Sequence, residues 1–176
     1  MENSIEKAIY TSCGMWMLWD YEEYKNIDSY DQWENIFLED EDIIKQIDKE
    51  KVVPINIHCD GCFQFRVKIN EELNDREKQY IVNKSDEYLL DTSGCIILSG
   101  LENIYNDVKE SESIKIELEQ GKYTIAVCLI EWDKEPGMVL EDGNPAPNAL
   151  PDFIILVHNE KNNNKSYRKS IETFNE

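Results

Sequence analysis

Hydrophobic positions change their period along this chain, and the changes predict its elements. Apolar residues dominate 6–19, which predicts one or two strands with Gly14 as a bulge or bend. Within 29–50 they recur at helical spacing, which predicts two short helices. Ser29 opens the first helix in a capping-box pattern, and Asp40 is the predicted cap of the second. The apolar positions of these helices are Trp33, Ile36, Phe37, Ile43, Ile44 and Ile47.

After the helices the period becomes two, which is typical of strands with one buried face. Matching the apolar faces of neighbouring strands predicts the turns between them. A three-residue loop at 59–61 pairs His58 with Cys62 and keeps one face apolar, whereas a two-residue loop mixes polar and apolar side chains. The same test predicts hairpins around 92–94 and 120–121.

The strand predicted over 123–132 is apolar on both faces, so it should lie in the centre of a sheet. A last strand is predicted over 153–157. Many short strands joined by turns favour a mainly β (α+β) fold, an antiparallel β-sandwich with a two-helix insertion near residues 29–50. We predict one sandwich domain over 1–158, followed by a polar C-terminal tail over 159–176.

Residues 135–151 form a long predicted loop that holds four of the five prolines. Connections of this length are uncommon in compact domains and are often functional, so the loop could close over a small ligand. Within it, the segment Glu141-Asp142-Gly143-Asn144 has oxygen ligands that suit calcium, but its spacing differs from a helix–loop–helix calcium loop. A turn is the favoured interpretation of that segment.

The chain is strongly acidic, with 18 basic and 37 acidic residues and a net charge of −19. Nucleic acids and anionic membranes would be repelled by this charge, which excludes both as main partners. No apolar run approaches the ~20 residues of a membrane helix, and the N-terminus lacks a signal-peptide pattern. We therefore expect a cytoplasmic protein, whose odd number of cysteines, five, stays reduced.

The segment His58-Cys59-Asp60-Gly61-Cys62 could hold a metal or a redox pair. A redox pair needs a lowered thiol pKa, usually at a helix start, and here a strand follows. A zinc site needs four ligands, and the sequence has no second Cys-x-x-Cys or His pair. A hairpin turn is therefore favoured, with no metal and no cofactor. Neither a nucleophile motif nor a Gly-rich phosphate loop is present, which predicts a protein that is not an enzyme.

Acidic residues concentrate between positions 20 and 50, where twelve acidic residues and three lysines give a net charge of −9. Aromatic residues are interleaved with them. Two interpretations stay open: a solvated face that keeps the protein soluble, or a docking surface on which acids steer a basic protein and aromatic side chains anchor it. The residues predicted to bind the partner are Tyr24, Tyr30, Asp31, Glu34, Glu39, Asp40, Glu41 and Asp42.

Residues 116–127, with the sequence IELEQGKYTIAV, and residues 151–156, PDFIIL, resemble the C-terminal half of small bacterial β-sandwich proteins. Among these is the competence-associated nuclease inhibitor family of bacilli. The stretch from Phe63 to Val157 also resembles bacterial proteins found near polymorphic toxins, which include immunity-type proteins. The resemblance implies a non-catalytic inhibitor or immunity protein against a basic nuclease or toxin.

The helical insertion and the Pro-rich loop depart from that family, and no site motif of the family can be carried over to this sequence. Two alternatives stay open. The chain could be a small-ligand-binding or accessory β-sandwich, or an enzyme whose site is assembled from acids that no motif reveals.

Overall fold

The computed structural model describes residues 4–162 and 164–175. The predicted domain division also includes residues outside the described ones, namely Met1 to Asn3, Asn163 and Glu176. Within the described residues, ten strands form two sheets, and four α-helices lie on the outer faces of the sheets. The strands are β1 Ser4–Thr11, β2 Met15–Asp20, β3 Val52–Asn56, β4 Gly61–Ile69, β5 Ile81–Lys84, β6 Tyr88–Thr92, β7 Cys95–Gly100, β8 Ser113–Glu117, β9 Gly121–Ile130 and β10 Phe153–Asn159. The helices are α1 Tyr21–Tyr24, α2 Tyr30–Phe37, α3 Asp40–Asp48 and α4 Asp75–Gln79.

The strands divide into a six-stranded sheet and a four-stranded sheet. The first, sheet A, has the order β1-β4-β10-β9-β5. Strands β5 and β6 pair with the same edge of β9, β5 with its C-terminal half and β6 with its N-terminal half. The second, sheet B, has the order β3-β2-β7-β8. Strand β9 has neighbours on both sides, which confirms its predicted central place. The mainly β fold and the two-helix insertion, α2 and α3, are also confirmed.

One strand pair departs from the antiparallel prediction. In the part of the chain that the structure describes, β4 and β10 run parallel, with Phe65 opposite Phe153 and Val67 opposite Ile155, while the other pairs are antiparallel. These partners lie almost ninety positions apart, so no local pattern in the sequence could indicate their direction.

The three predicted hairpins are wrong. Strands β3 and β4 lie in different sheets, and Cys62 is opposite Tyr10 of β1 instead of His58. Strands β6 and β7 are likewise divided between the sheets, as are β8 and β9. Each of these connections crosses from one layer of the sandwich to the other. An apolar face is buried equally well in either arrangement, so the face-matching test could not distinguish a crossing from a hairpin.

Side chains between the two sheets form the main core. Trp16 of β2 points inward, with its ring 5.2 Å from Phe63, 5.3 Å from Phe65 and 6.2 Å from Phe153. Its neighbours along β2 point to the opposite face, where Trp19 meets Tyr24. Helices α1 to α3 therefore cover the outer face of sheet B.

A second apolar cluster lies on the outer face of sheet A, beneath α4 and the Pro-rich loop. It consists of Leu73, Ala126, Cys128, Ile130, Leu150, Ile154 and Leu156. The two faces predicted for the 123–132 strand explain the arrangement, because one set of its alternating residues faces each cluster. The molecule thus has four layers, two sheets between two outer coverings.

The C-terminal segment 164–175 packs against both sheets. Thr173 is fully buried beside β3, where its hydroxyl donates to the Pro54 carbonyl at 2.8 Å and accepts from the Asn56 N–H at 2.8 Å. The Tyr88 hydroxyl donates to the Ser170 carbonyl at 2.9 Å. This segment, predicted as a polar tail, contributes buried residues to the domain, and the division at residue 158 stays a prediction.

Gly14 forms the bend between β1 and β2, as predicted, with a φ of +66°. A Cβ atom there would lie 3.1 Å from the Cys59 N and 3.2 Å from the His58 carbonyl carbon, both backbone atoms that cannot easily move. We expect Gly14→Ala to lower the free energy of unfolding by about 2–3 kcal/mol. Denaturant unfolding of the variant measures this.

Gly143→Ala provides the matched control, because Gly143 also has a positive φ, +83°, but no atom lies within 4 Å of the position that a Cβ would take there. Gly143→Ala should lower the free energy of unfolding only through the strain of a left-handed alanine, by about 1 kcal/mol. Equal losses in the two variants would show that the close approach at Gly14 contributes nothing.

Candidate protein-binding surface

Helices α2 and α3 present their acidic sides to solvent because their apolar sides are buried. Trp33 and Phe37 of α2 and Ile43 and Ile47 of α3 are buried on the outer face of sheet B. The Ser29 hydroxyl caps α2 by accepting from the Gln32 N–H at 3.4 Å.

Two details of helix capping differ from the sequence prediction. The Gln32 side chain accepts from the Asp28 N–H at 2.9 Å rather than from Ser29, so the capping box at the start of α2 is incomplete. The N-cap of α3 is Glu39, without a side-chain cap bond, and Asp40 is the first helical residue. Asp40, Glu41 and Asp42 instead occupy the first turn, where their charges face the positive end of the helix.

Most carboxylates on this surface have no cationic partner. Within residues 4–162 and 164–175, no ion pair involves Asp31, Glu34, Glu39, Asp40 or Glu41. Asp42 is the exception, with the Lys45 Nζ at 2.7 Å. The hydrogen bond from Lys45 to Asp42 raises the pKa of that lysine. The predicted partner-binding acids therefore lie together, on the solvent side of two adjoining helices, and their negative charge is largely uncompensated.

The two tyrosines predicted to bind a partner have different environments. Tyr30 is 57% exposed and stacks on Trp33, with ring centroids 5.7 Å apart. Trp33 is fixed by its indole N–H, which donates to the Leu101 carbonyl at 3.0 Å, so Tyr30 lies on a rigid support. Tyr24 is buried, with its hydroxyl 3.0 Å from the Gln46 Oε1, and burial raises the pKa of its phenol. Tyr24 is therefore a core residue and does not face a partner.

Leu38 belongs to the same surface but was not predicted from the sequence. This side chain follows α2 directly and is 48% exposed, next to Glu39 and Asp40. Trp33 and Phe37 are spaced to lie on one face of a helix, and Leu38 does not fit this spacing. The sequence therefore contained a signal that Leu38 points away from the buried face. We define the acidic helix surface as Tyr30, Asp31, Glu34, Leu38, Glu39, Asp40, Glu41 and Asp42.

The Pro-rich loop is held in place on the opposite side of the molecule. The Arg76 guanidinium of α4 binds both carboxylate oxygens of Glu135, at 2.8 and 2.7 Å, and donates to the Asn148 carbonyl at 2.8 Å. The hydrogen bond from Arg76 lowers the pKa of Glu135. Val139 and Pro145 form a bridge across the loop. A cavity of about 460 Å³ lies between this loop and sheet A.

The segment considered for calcium is a turn in the structure, as favoured. The Asn144 N–H and side-chain amide donate to the carboxylate of Asp142, at 3.0 and 2.9 Å, and the N–H bond lowers the pKa of Asp142. The His58 Nε2 lies 2.9 Å from Glu172, and both Cys59 and Cys62 are exposed thiols. Among the residues that the structure describes, no group of three His, Cys, Asp or Glu side chains is placed to hold a metal ion.

No described helix has both the length and the apolar composition needed to cross a membrane. No protein-family model matches the chain, and no curated protein matches it in sequence.

Comparison of the fold with solved structures gives two matches that cover nearly all of the chain. One is described as "Crocagin biosynthetic gene J", with a TM-score of 0.55 and 15% identity over 90% of this chain and 97% of that one. The other is ComJ from Bacillus subtilis, described as an inhibitor of the DNA-degrading activity of NucA, with a TM-score of 0.53 and 9% identity. The match covers 91% of this chain and 99% of ComJ. The resemblance to a competence nuclease inhibitor is therefore confirmed at the level of the fold.

Proposed function

We propose that the protein is a non-catalytic inhibitor that binds a basic nuclease through the acidic helix surface. The observation that carries this proposal is the group of carboxylates without cationic partners around two exposed anchors, Tyr30 and Leu38. The fold that the chain has in common with ComJ supports the inhibitor class, since that protein inhibits a DNA-degrading activity.

Charge explains why such a surface suits a nuclease. Enzymes that grip nucleic acid present lysine and arginine to the phosphates, so an array of carboxylates competes for the same groups. A carboxylate that already has an intramolecular partner must give up that interaction on binding. Asp31, Glu39 and Glu41 have no such partner in the described part of the chain. Binding to the nuclease therefore breaks no ion pair of these three side chains.

The two kinds of residue have different kinetic roles. The acids accelerate encounter through long-range attraction, which falls as salt rises above ~0.15 M, where the screening length is ~8 Å. Tyr30 and Leu38 slow dissociation, because buried aromatic and aliphatic side chains at the centre of an interface hold the complex together. Replacing Tyr30 by alanine should therefore affect the off-rate rather than the on-rate.

The test compares two double variants that have the same net charge but carry the reversed charges at different places on the surface. We expect Glu34→Lys combined with Glu39→Lys to reduce the association rate with the nuclease by about tenfold or more. Glu34 lies beyond the first turn of α2, and Glu39 is the N-cap of α3 without a side-chain cap bond, so the acids of the first turns stay in place. The lysine at position 39 should cost about 0.3–1 kcal/mol against the positive end of α3, and thermal unfolding shows that both double variants are folded. Glu119→Lys combined with Glu141→Lys is the matched control, because these exposed acids lie elsewhere.

The measurements are the rate of DNA hydrolysis and the association rate by surface plasmon resonance. The probes are NucA and the nuclease whose gene lies nearest to that of this chain. Inhibition of either nuclease, lost on reversal in the helices and retained in the control, supports the proposal. If neither is inhibited, or if both double variants slow association equally, the acidic helix surface serves solubility only.

A further inference from the structure

The cavity beneath the Pro-rich loop has chemistry of its own. It lies at the outer face of sheet A, so the two sheets separate it from the acidic helix surface. Its volume of about 460 Å³ is within the range of small-molecule sites. Pro145, Pro147 and Ala149 form the wall that the loop contributes, and Trp132 and Asp152 lie at the two ends of that loop.

Asp152 is the fixed polar group of this cavity. Its Oδ1 accepts from the Trp132 indole N–H at 2.9 Å, and its Oδ2 accepts from the Gln64 N–H at 2.7 Å. Both donors are neutral, so they orient the carboxylate without cancelling its charge. No ion pair involves Asp152 within the described ranges, and its side chain is half-buried. Each of its oxygens retains one lone pair for a further donor.

Glu6 lies across the cavity but is already neutralised. Its carboxylate accepts from the Arg66 Nε at 2.7 Å and from the Gln64 side-chain amide at 3.2 Å. Among the residues that the structure describes, no lysine or arginine lines this cavity. The unbalanced charge in the cavity is therefore that of Asp152.

Trp132 adds an aromatic wall with a fixed orientation. Its indole N–H, which lies in the plane of the ring, donates to Asp152, and the half-buried ring lines the cavity. Indole binds cations over its face better than the other aromatic side chains do, and the planar guanidinium group also stacks on it. A carboxylate next to an indole, with proline and alanine walls, suits a guanidinium group on an aliphatic stem.

We propose that this cavity binds an alkylguanidinium group, with Asp152 as its anionic partner and Trp132 as its stacking surface. The group belongs either to a free small molecule or to an arginine side chain of another protein. The proposal is independent of nuclease inhibition, because it concerns the other outer face of the molecule and needs no nuclease for its test.

The experiment is a titration of the ¹⁵N-labelled protein followed by the indole N–H resonance of Trp132, which the Trp132→Phe variant assigns. The probes are agmatine, a free alkylguanidinium, and acetyl-Gly-Arg-Gly-amide, which represents a protein arginine. N-butylurea is the uncharged control of similar shape. We expect saturable shifts with both guanidinium probes and none with N-butylurea. Tighter binding of the peptide identifies a protein arginine as the source, and tighter binding of agmatine identifies a small molecule.

Two variants test separately the charge of Asp152 and the free volume of the cavity. Asp152→Asn should weaken binding of the guanidinium probes by about tenfold or more, because the charge-assisted hydrogen bond is lost. Ala149→Leu fills the cavity without removing any side-chain hydrogen bond and should abolish binding. Glu34→Gln, on the opposite face, should leave it unchanged. The proposal is overturned if agmatine gives no saturable shift, if N-butylurea binds equally, or if the folded Ala149→Leu variant binds like the wild type.

Discussion

Replacing Glu77 by alanine should lower the free energy of unfolding by about 3–5 kcal/mol. The Glu77 side chain is 1% exposed and forms ion pairs with the Arg66 Nη1 at 2.8 Å and the Lys68 Nζ at 2.9 Å. It also accepts from the Asn74 N–H at 2.8 Å, which completes the capping box of α4. Its removal leaves Lys68, 8% exposed, as a buried charge without its partner. Urea unfolding measures the loss.

The contribution of Glu77 should also depend on pH. Burial alone would raise the pKa of Glu77, but hydrogen bonds from Lys68, the Asn74 backbone and Arg66 outweigh it and lower this pKa. A carboxyl whose folded pKa is lowered stabilises the fold above its unfolded pKa and loses that contribution as pH falls through the folded pKa. The difference in unfolding free energy between the wild type and Glu77→Gln should therefore be full at neutral pH and shrink below about pH 4.

Glu72 supplies the control for the stability measurement at neutral pH, because its side chain is 82% exposed in the segment just before α4 and its contact with the His158 Nε2, at 3.6 Å, is at the surface. Glu72→Ala should change the free energy of unfolding by less than about 0.5 kcal/mol. A Glu77→Ala variant no less stable than Glu72→Ala would show that the buried ion pairs do not hold α4 on the sheet.

Trp16→Ala should also cost about 3–5 kcal/mol, through loss of packing rather than charge. The Trp16 side chain is fully buried between the sheets, against three phenylalanine rings, and its indole N–H donates to the Ile9 carbonyl at 3.1 Å. Alanine would leave a cavity and remove the hydrogen bond to the Ile9 carbonyl. Differential scanning calorimetry at constant pH measures the loss of stability.

Trp16→Phe separates the contribution of ring packing from that of the indole hydrogen bond. It keeps most of the aromatic volume but removes the hydrogen bond, so its loss should be smaller than that of Trp16→Ala. Equal losses in the two variants would contradict the importance of ring packing between the sheets.

Sequence patterning predicted the positions of the strands other than β5, but it did not predict which strands pair. The alternation in β4 and β9 correctly indicated an apolar face, and the two-faced apolar pattern of β9 correctly placed it inside a sheet. In a sandwich, however, the inner faces of both sheets are apolar. A strand that continues into the opposite sheet therefore has the same pattern as one that turns back into its own, and the three hairpin predictions failed for this reason.

The acids of the candidate surface could be recognised in the sequence, whereas the exposure of its tyrosines could not. Charge is a property of composition, so the acids of α2 and α3 were visible in the sequence. Burial of a tyrosine depends on tertiary packing, and Tyr24 could not be separated from Tyr30 by spacing alone. Asp152 gave no signal because its partners, Gln64 and Trp132, are distant in the chain. Glu77 could have been found, since Asn74 precedes it by three residues in a capping-box pattern.

The packing of Thr173 on β3 has a consequence for how copies of the protein meet. Strand β3 lies at the edge of sheet B, where an uncovered row of N–H and carbonyl groups is a template for another chain. Thr173 occupies the outward carbonyl of Pro54 and the N–H of Asn56, and Pro54 itself has no N–H to offer. A chain shortened to residue 160 would keep its strands but gain an open edge, and at high concentration its copies would join edge to edge and aggregate.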